Sequence, residues 1–138
     1  IAVRGIPSFH DKSQGKERGI NSIYVIKAED MTLCHLGDLG QEKLDEKQVE
    51  EIGDVDILMI PVGGSYTING KEAVEVISQI EPKIVIPMHY KVKGQENDTE
   101  SADKFVKELG LTPEKVEKFK IAKKILPTEE LKLVMFNL

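Results

Sequence analysis

Apolar residues along this chain come as short unbroken runs and as stripes spaced three or four positions apart, and each pattern predicts a different element. Ile1 to Phe9 is an extended stretch. The polar, glycine-bearing segment Asp11 to Gly19 after it reads as a loop. Ile20 to Ala28, with Ile23-Tyr24-Val25-Ile26 inside it, and Met31 to Leu36 are strand-like. Glu29-Asp30 between them offers a turn, so the pair reads as a β-hairpin. Asp45, followed three residues later by Gln48, carries the capping-box signature of a helix that stops near Gly53. Ile57-Leu58-Met59-Ile60 is a continuous apolar run, as a strand buried on both faces needs, and Pro61 to Gly64 ends it. Asn69 and Glu72 repeat the capping signature. Ala73, Val76, Ile77 and Ile80 then lie on one helical face, and Pro82 ends the helix because the residue before a proline avoids helical geometry. Lys83 to Ile86 supplies another buried strand. Ile57 to Ile86 therefore reads as strand, helix, strand, with the length of a right-handed crossover between parallel strands. Ala102, Phe105, Val106 and Leu109 mark a third helix with Gly110 at its stop. Lys118 to Ile121 and Leu131 to Phe136 predict two last strands.

These elements describe an α/β fold, a mixed sheet with helices packed on it. The length of 138 residues suits a single domain over 1–138. The chain is 40% hydrophobic and 31% charged, enough to build a core. Nineteen basic against 24 acidic residues leave a net charge of -5, which argues against a nucleic-acid backbone as the main partner. No apolar run reaches the roughly 18 residues of a membrane helix, and no signal peptide is visible. The single cysteine, Cys34, cannot form an internal disulfide, so a reducing, cytoplasmic setting is expected. As a strand residue Cys34 is expected to be buried and inert. The chain opens on Ile1 and not on Met, from which a longer parent polypeptide is expected.

Chemistry collects where the strands end. Gly37-Asp38 follows Met31 to Leu36, Pro61-Val62-Gly63-Gly64 follows Ile57 to Ile60, and Pro87-Met88-His89-Tyr90 follows Ile84 to Ile86. Open α/β sheets bind ligands just outside the carboxyl ends of their strands. His10 follows its own extended stretch in the same way, so His10, Asp38 and His89 are candidates to converge. Histidine and aspartate are suitable ligand types for zinc or a similar ion. Each residue also has a plainer reading: His10 as a surface loop histidine, Asp38 as a turn aspartate, His89 as a strand-end histidine bonded to backbone. His35 reads as a core residue or as one that orients a ligand. Gly63-Gly64 fits either a tight turn or a close substrate approach. The acidic run Asp45 to Glu51 reads as a solvated helix face.

Five blocks in order carry a resemblance: Gly5-Ile6-Pro7-Ser8-Phe9-His10-Asp11, Arg18-Gly19-Ile20-Asn21, His35-Leu36-Gly37-Asp38-Leu39-Gly40, Ile60-Pro61-Val62-Gly63-Gly64-Ser65-Tyr66-Thr67 and Ile86-Pro87-Met88-His89-Tyr90. Together they resemble the metallo-β-lactamase superfamily, in its branch of small metal-dependent hydrolases that includes ascorbate-phosphate lactonase-like proteins. The resemblance implies the C-terminal half of a four-layer αββα sandwich. It implies His10 on a first metal, Asp38 bridging two metals and serving catalysis, and His89 on the second metal. The implied cofactor is a divalent metal, zinc foremost. The implied reaction is attack of metal-activated water on an ester, lactone, amide or phosphodiester of a small-molecule substrate.

The family's His-x-His-x-Asp-His cluster is absent, and the chain has only three histidines: His10, His35 and His89. An incomplete site, inactive in isolation, is therefore expected. The alternative is a non-catalytic binding or oligomerisation module that keeps half the fold. Such a module would expose an apolar sheet face and favour dimerisation. A third expectation is a homo-oligomer in which two copies pair and each replaces the other's missing half, with His10, Asp38 and His89 supplying a simpler mononuclear site.

Overall fold

The computed structural model describes residues 1–137. The predicted hairpin is present as β2 (Ile20–Ala28) and β3 (Met31–His35), paired antiparallel, with β1 (Ala2–Phe9) antiparallel on the outer side of β2. Both capping signatures fold as read. Asp45 caps α1 (Glu46–Ile52) and Asn69 caps α2 (Gly70–Ile80), each in a reciprocal capping box that satisfies backbone N–H groups at the helix start. The strands β4 (Ile57–Pro61) and β5 (Ile84–Met88) flank α2 and pair in parallel, which is the predicted crossover. A third helix, α3 (Ala102–Leu109), stops at Gly110 in the left-handed conformation that glycine adopts without strain.

Two boundaries differ from expectation. The strand read over Lys118 to Ile121 is not one. The strand lies earlier, as β6 (Glu114–Val116), parallel to β7 (Lys132–Phe136). Phe119 and Ile121 instead pack as irregular chain against the core, so their alternation serves burial without pairing. Pro87, read as following its strand, lies inside β5 opposite Ile60.

The seven strands make one sheet in the order β1-β2-β3-β4-β5-β7-β6, antiparallel at the β1 side and parallel from β3 onward. One face carries Ile6, Ile23, Val25, Cys34, Leu58, Ile60, Val85 and Leu133, which form one cluster with Ala73 and Val76 of α2 and Phe105 of α3. Among the described residues, the other face has no helix layer. Ile57, Ile84 and Val134 are covered there by Leu126, with Phe119 and Ile121 beside it. Toward β1 and β2 this face is bare: Val3 is 59% exposed, Ile20 77% and Tyr24 46%. The expected open apolar face is therefore confined to that side. Among the described residues, no helix is long and apolar enough to cross a membrane.

In the helix layer Gly70, the first residue of α2, lies against Phe105 of α3. A Cβ there would lie 2.8 Å from the Cα of Phe105, which is fully buried. Because backbone cannot yield as a flexible side chain does, Gly70→Ala is expected to destabilise the fold by about 1–3 kcal/mol. Urea denaturation would show this as a lower midpoint at unchanged slope. A midpoint equal to wild type would refute the close packing of α2 on α3.

Candidate metal centre

β1 and β3 run in the same direction as β4 and β5, so residues that follow these strands share one edge of the sheet. His10, Asp38 and His89 meet there. His10 Nε2 lies 3.3 Å from Asp38 Oδ2, and His89 Nε2 lies 4.0 Å from Asp38 Oδ1. Each imidazole faces a different oxygen of one carboxylate, whose side chain is 52% exposed. The three side chains thus surround the carboxylate and not a common point. Among the described residues, no group of three or more His, Cys, Asp or Glu side chains is disposed to hold a metal ion by itself. The donors fit a divalent ion in kind, two imidazole nitrogens and a split carboxylate, but fall short in number, since zinc is held by about four ligands. They open onto a cleft of about 830 Å³, whose walls include Tyr24, Ile26, His35 and Met88.

Two of the three residues, His10 and His89, are seated against a glycine. A Cβ on Gly40 would fall 2.2 Å from the carbonyl carbon of His10, and the Gly40 N–H donates to Phe9 O at 2.9 Å. A Cβ on Gly63 would fall 2.0 Å from the carbonyl oxygen of His89. His89 itself has φ +53°, a left-handed conformation uncommon for a side chain of its size. The tightness of Gly63 is therefore what lets the backbone turn at His89. Gly63, read from sequence as a tight turn or a substrate approach, is a seat for this histidine.

Beside Asp38, Gly37 adopts φ +61°, and a Cβ there would lie 2.6 Å from Asn21 Oδ1. That oxygen accepts the Asp38 backbone N–H at 3.0 Å. Asn21 Nδ2 donates to Leu36 O at 2.8 Å and to Ser8 Oγ at 2.9 Å. One amide group on β2 thus ties β1 to the turn that aims Asp38. Sequence reading noted Asn21 only within a motif block, because nothing local shows which turn it reaches.

Asp11 is a second residue whose role was not legible. Its buried carboxylate accepts the backbone N–H groups of Arg18, Gly15, Ser13 and Glu17 at 2.8–3.0 Å, closing the loop behind His10. These bonds, the one from Arg18 foremost, hold its carboxyl well below the usual carboxylate range against the opposing effect of burial. The loop returns to the site through the His10 N–H, which donates to Gly19 O at 3.1 Å. His10 Nδ1 is buried without a partner among the described residues, although a ligating histidine ordinarily donates through its second nitrogen. Cys34 is buried, and burial pushes its thiol up to about 12, which bears out its inert reading. A separate groove of about 540 Å³ along α2 is lined by Asn69, Glu72 and Gln79. Those side chains are committed to the helix cap and to the backbone of Leu44.

Comparison with known proteins gives the chain a family and a fold. Residues 1–89 match the family model described as the beta-lactamase superfamily domain. A UPF0173 metal-dependent hydrolase of Pyrococcus horikoshii is 36% identical over 91 residues, 65% of this chain and 40% of that protein. Another, from Staphylothermus marinus, is 38% identical over 84 residues, 61% of this chain and 35% of that protein. A Thermotoga maritima structure, provisionally named a Zn-dependent hydrolase of the metallo-beta-lactamase superfamily, superposes with a TM-score of 0.77 at 40% identity. That superposition covers 97% of this chain and 63% of the other. The chain thus spans about 40% of the length of the curated relatives it matches.

Two outcomes follow from the seating of the site. Gly63→Ala should shift the backbone and imidazole NMR signals of His89 while leaving those of His35 in place; an unmoved His89 would refute the seat. For Asp11, the folded form binds its proton more weakly than the unfolded form. Its stabilisation is therefore full above the usual carboxylate value of about 4 and is lost progressively as pH falls below it. The melting-temperature gap between wild type and Asp11→Asn should narrow as pH drops below about 4. A gap that stays constant into strong acid would contradict the carboxylate's role.

Proposed function

The chain belongs to the beta-lactamase superfamily, and from that we propose that it carries one side of a metal-dependent hydrolase centre. His10 and His89 would hold the metal, zinc foremost, and Asp38 would lie between them. The observation that carries this reading is the division of the Asp38 carboxylate. One oxygen faces each imidazole, as a bridge between two ions with one histidine apiece would require. The remaining ligands would come from outside these residues, in keeping with the share of its relatives that the chain spans. The isolated chain is then inactive.

A bound divalent ion of this kind supplies Lewis acidity and brings the pKa of water down to about 7. The protein's own residues supply placement. Asp38, half-exposed at the cleft, accepts a hydrogen bond from the attacking water and orients it. Asn21 and Gly37 keep the Asp38 backbone from turning away. The substrate is a small molecule with an ester, lactone, amide or phosphodiester bond, among which a fold does not choose. A cytoplasmic setting belongs to the same reading, since Cys34 is free.

A second reading, a binding or oligomerisation module, is favoured by the bare patch at Val3, Ile20 and Tyr24. Metal analysis separates the two. A longer parent protein containing this chain should purify with near-stoichiometric divalent metal, and both His89→Ala and Asp38→Ala should reduce it sharply. A metal-free parent, or metal content indifferent to both substitutions, would overturn the hydrolase reading in favour of the module.

A further inference from the structure

The third histidine has no part in the centre just described, yet it stands in the same cleft. His35 ends β3 on the open face of the sheet, opposite Tyr24 on β2 and Met59 on β4. It is half-buried and lines the cleft with His10, Asp38 and His89. Its Nδ1 accepts the backbone N–H of Gly37 at 3.1 Å. A ring nitrogen that accepts carries a lone pair, so in the neutral imidazole the proton must sit on Nε2. That Nε2 makes no hydrogen bond among the described residues. It is also not one of the sealed polar atoms: the buried unpartnered ones there are His10 Nδ1 and Ser13 Oγ. His35 therefore offers one N–H donor of fixed direction, open to the cleft beside Asp38.

We propose that His35 is a substrate-contacting residue. Its Nε2–H, locked in that tautomer by the Gly37 amide, donates a hydrogen bond to an acceptor oxygen of the scissile carbonyl or phosphoryl group. The inference rests on the hydrolase reading for the identity of the group bound. It requires no proton transfer: the imidazole keeps its Nε2 proton and acts as a dipole aimed at the oxygen on which charge grows. The bond to Gly37 also couples the donor to the turn that carries Asp38, so donor and carboxylate keep a fixed spacing. A purely structural His35 would do no more than brace that turn.

Two substitutions separate the roles. His35→Asn places an amide oxygen near the former Nδ1, keeping an acceptor for Gly37 while removing the cleft donor. His35→Gln reaches the former Nε2 with an amide N–H, keeping the donor. The chain has only three histidines, so long-range nitrogen–proton NMR spectra of labelled histidine resolve each ring. At mildly alkaline pH, His35 should show a protonated Nε2 and a bare Nδ1. Inorganic phosphate, used as the oxygen-acceptor probe, should shift the Nε2 signal. His35→Asn should weaken phosphate binding about tenfold with an unchanged melting temperature, and His35→Gln should restore most of it.

A proton on Nδ1, a His35 signal indifferent to phosphate, or equal phosphate binding by His35→Asn would each overturn the inference. Zinc added to the same samples tests the other reading independently. Zinc should perturb His10 and His89, and a failure there would count against the metal centre while the tautomer and phosphate results still decide His35.

Discussion

Two backbone contacts that tolerate no Cβ set the shape of the site. Gly40 lies under the backbone of His10 and Gly63 under the backbone of His89, with a hypothetical Cβ 2.2 and 2.0 Å from carbonyl atoms of the two histidines. Such distances leave no side-chain rearrangement that would admit alanine, because the obstruction is main chain. The strands bring the segments to one edge of the sheet. The glycines let the loops beyond the strands close on one another, and only then do the imidazoles reach a shared aspartate. His89 at φ +53° shows the same constraint from the other side, since it is held in a conformation that its own side chain does not favour.

The parts of the cleft follow from which sheet face is covered. Helices bury one face, and their cluster fixes Cys34, Leu58 and Val85. The alternate positions on the same strands, His35, Met59 and Ile86, point to the face without helices. The C-terminal segment through Phe119, Ile121 and Leu126 closes the part of that face around Met31, Ile57, Ile84 and Val134. The polar residues of the centre thus stand at the border between a packed sheet and an open one. There Asp38 stays accessible while its backbone is fixed by Asn21.

Much of the fold was legible because its signals are local. The capping boxes at Asp45 and Asn69, the apolar stripe from Ala73 to Ile80 and the buried runs at Ile57 and Ile84 each depend on a few neighbouring residues, and each folds as read. The strand expected over Lys118 to Ile121 failed because apolar alternation shows that side chains are buried, not that backbone is paired. His10, Asp38 and His89 were legible as residues at strand ends, and the resemblance placed them in one centre. Asn21, Asp11 and the seating glycines were not legible. Their partners lie across strands or around a loop, and no spacing along the chain shows that Asn21 reaches the amide of Asp38 or that Gly63 meets the carbonyl of His89.

The central claim is that one carboxylate is shared between two imidazole-held metal positions. Anomalous diffraction at the zinc edge, from zinc-loaded crystals of a longer parent protein, tests it most directly. The account predicts metal peaks about 2.0–2.1 Å from a ring nitrogen of His10 and of His89, with an Asp38 oxygen in contact with each. Zinc bound elsewhere, or His10 and His89 remaining against Asp38 with no metal beside them, would contradict it.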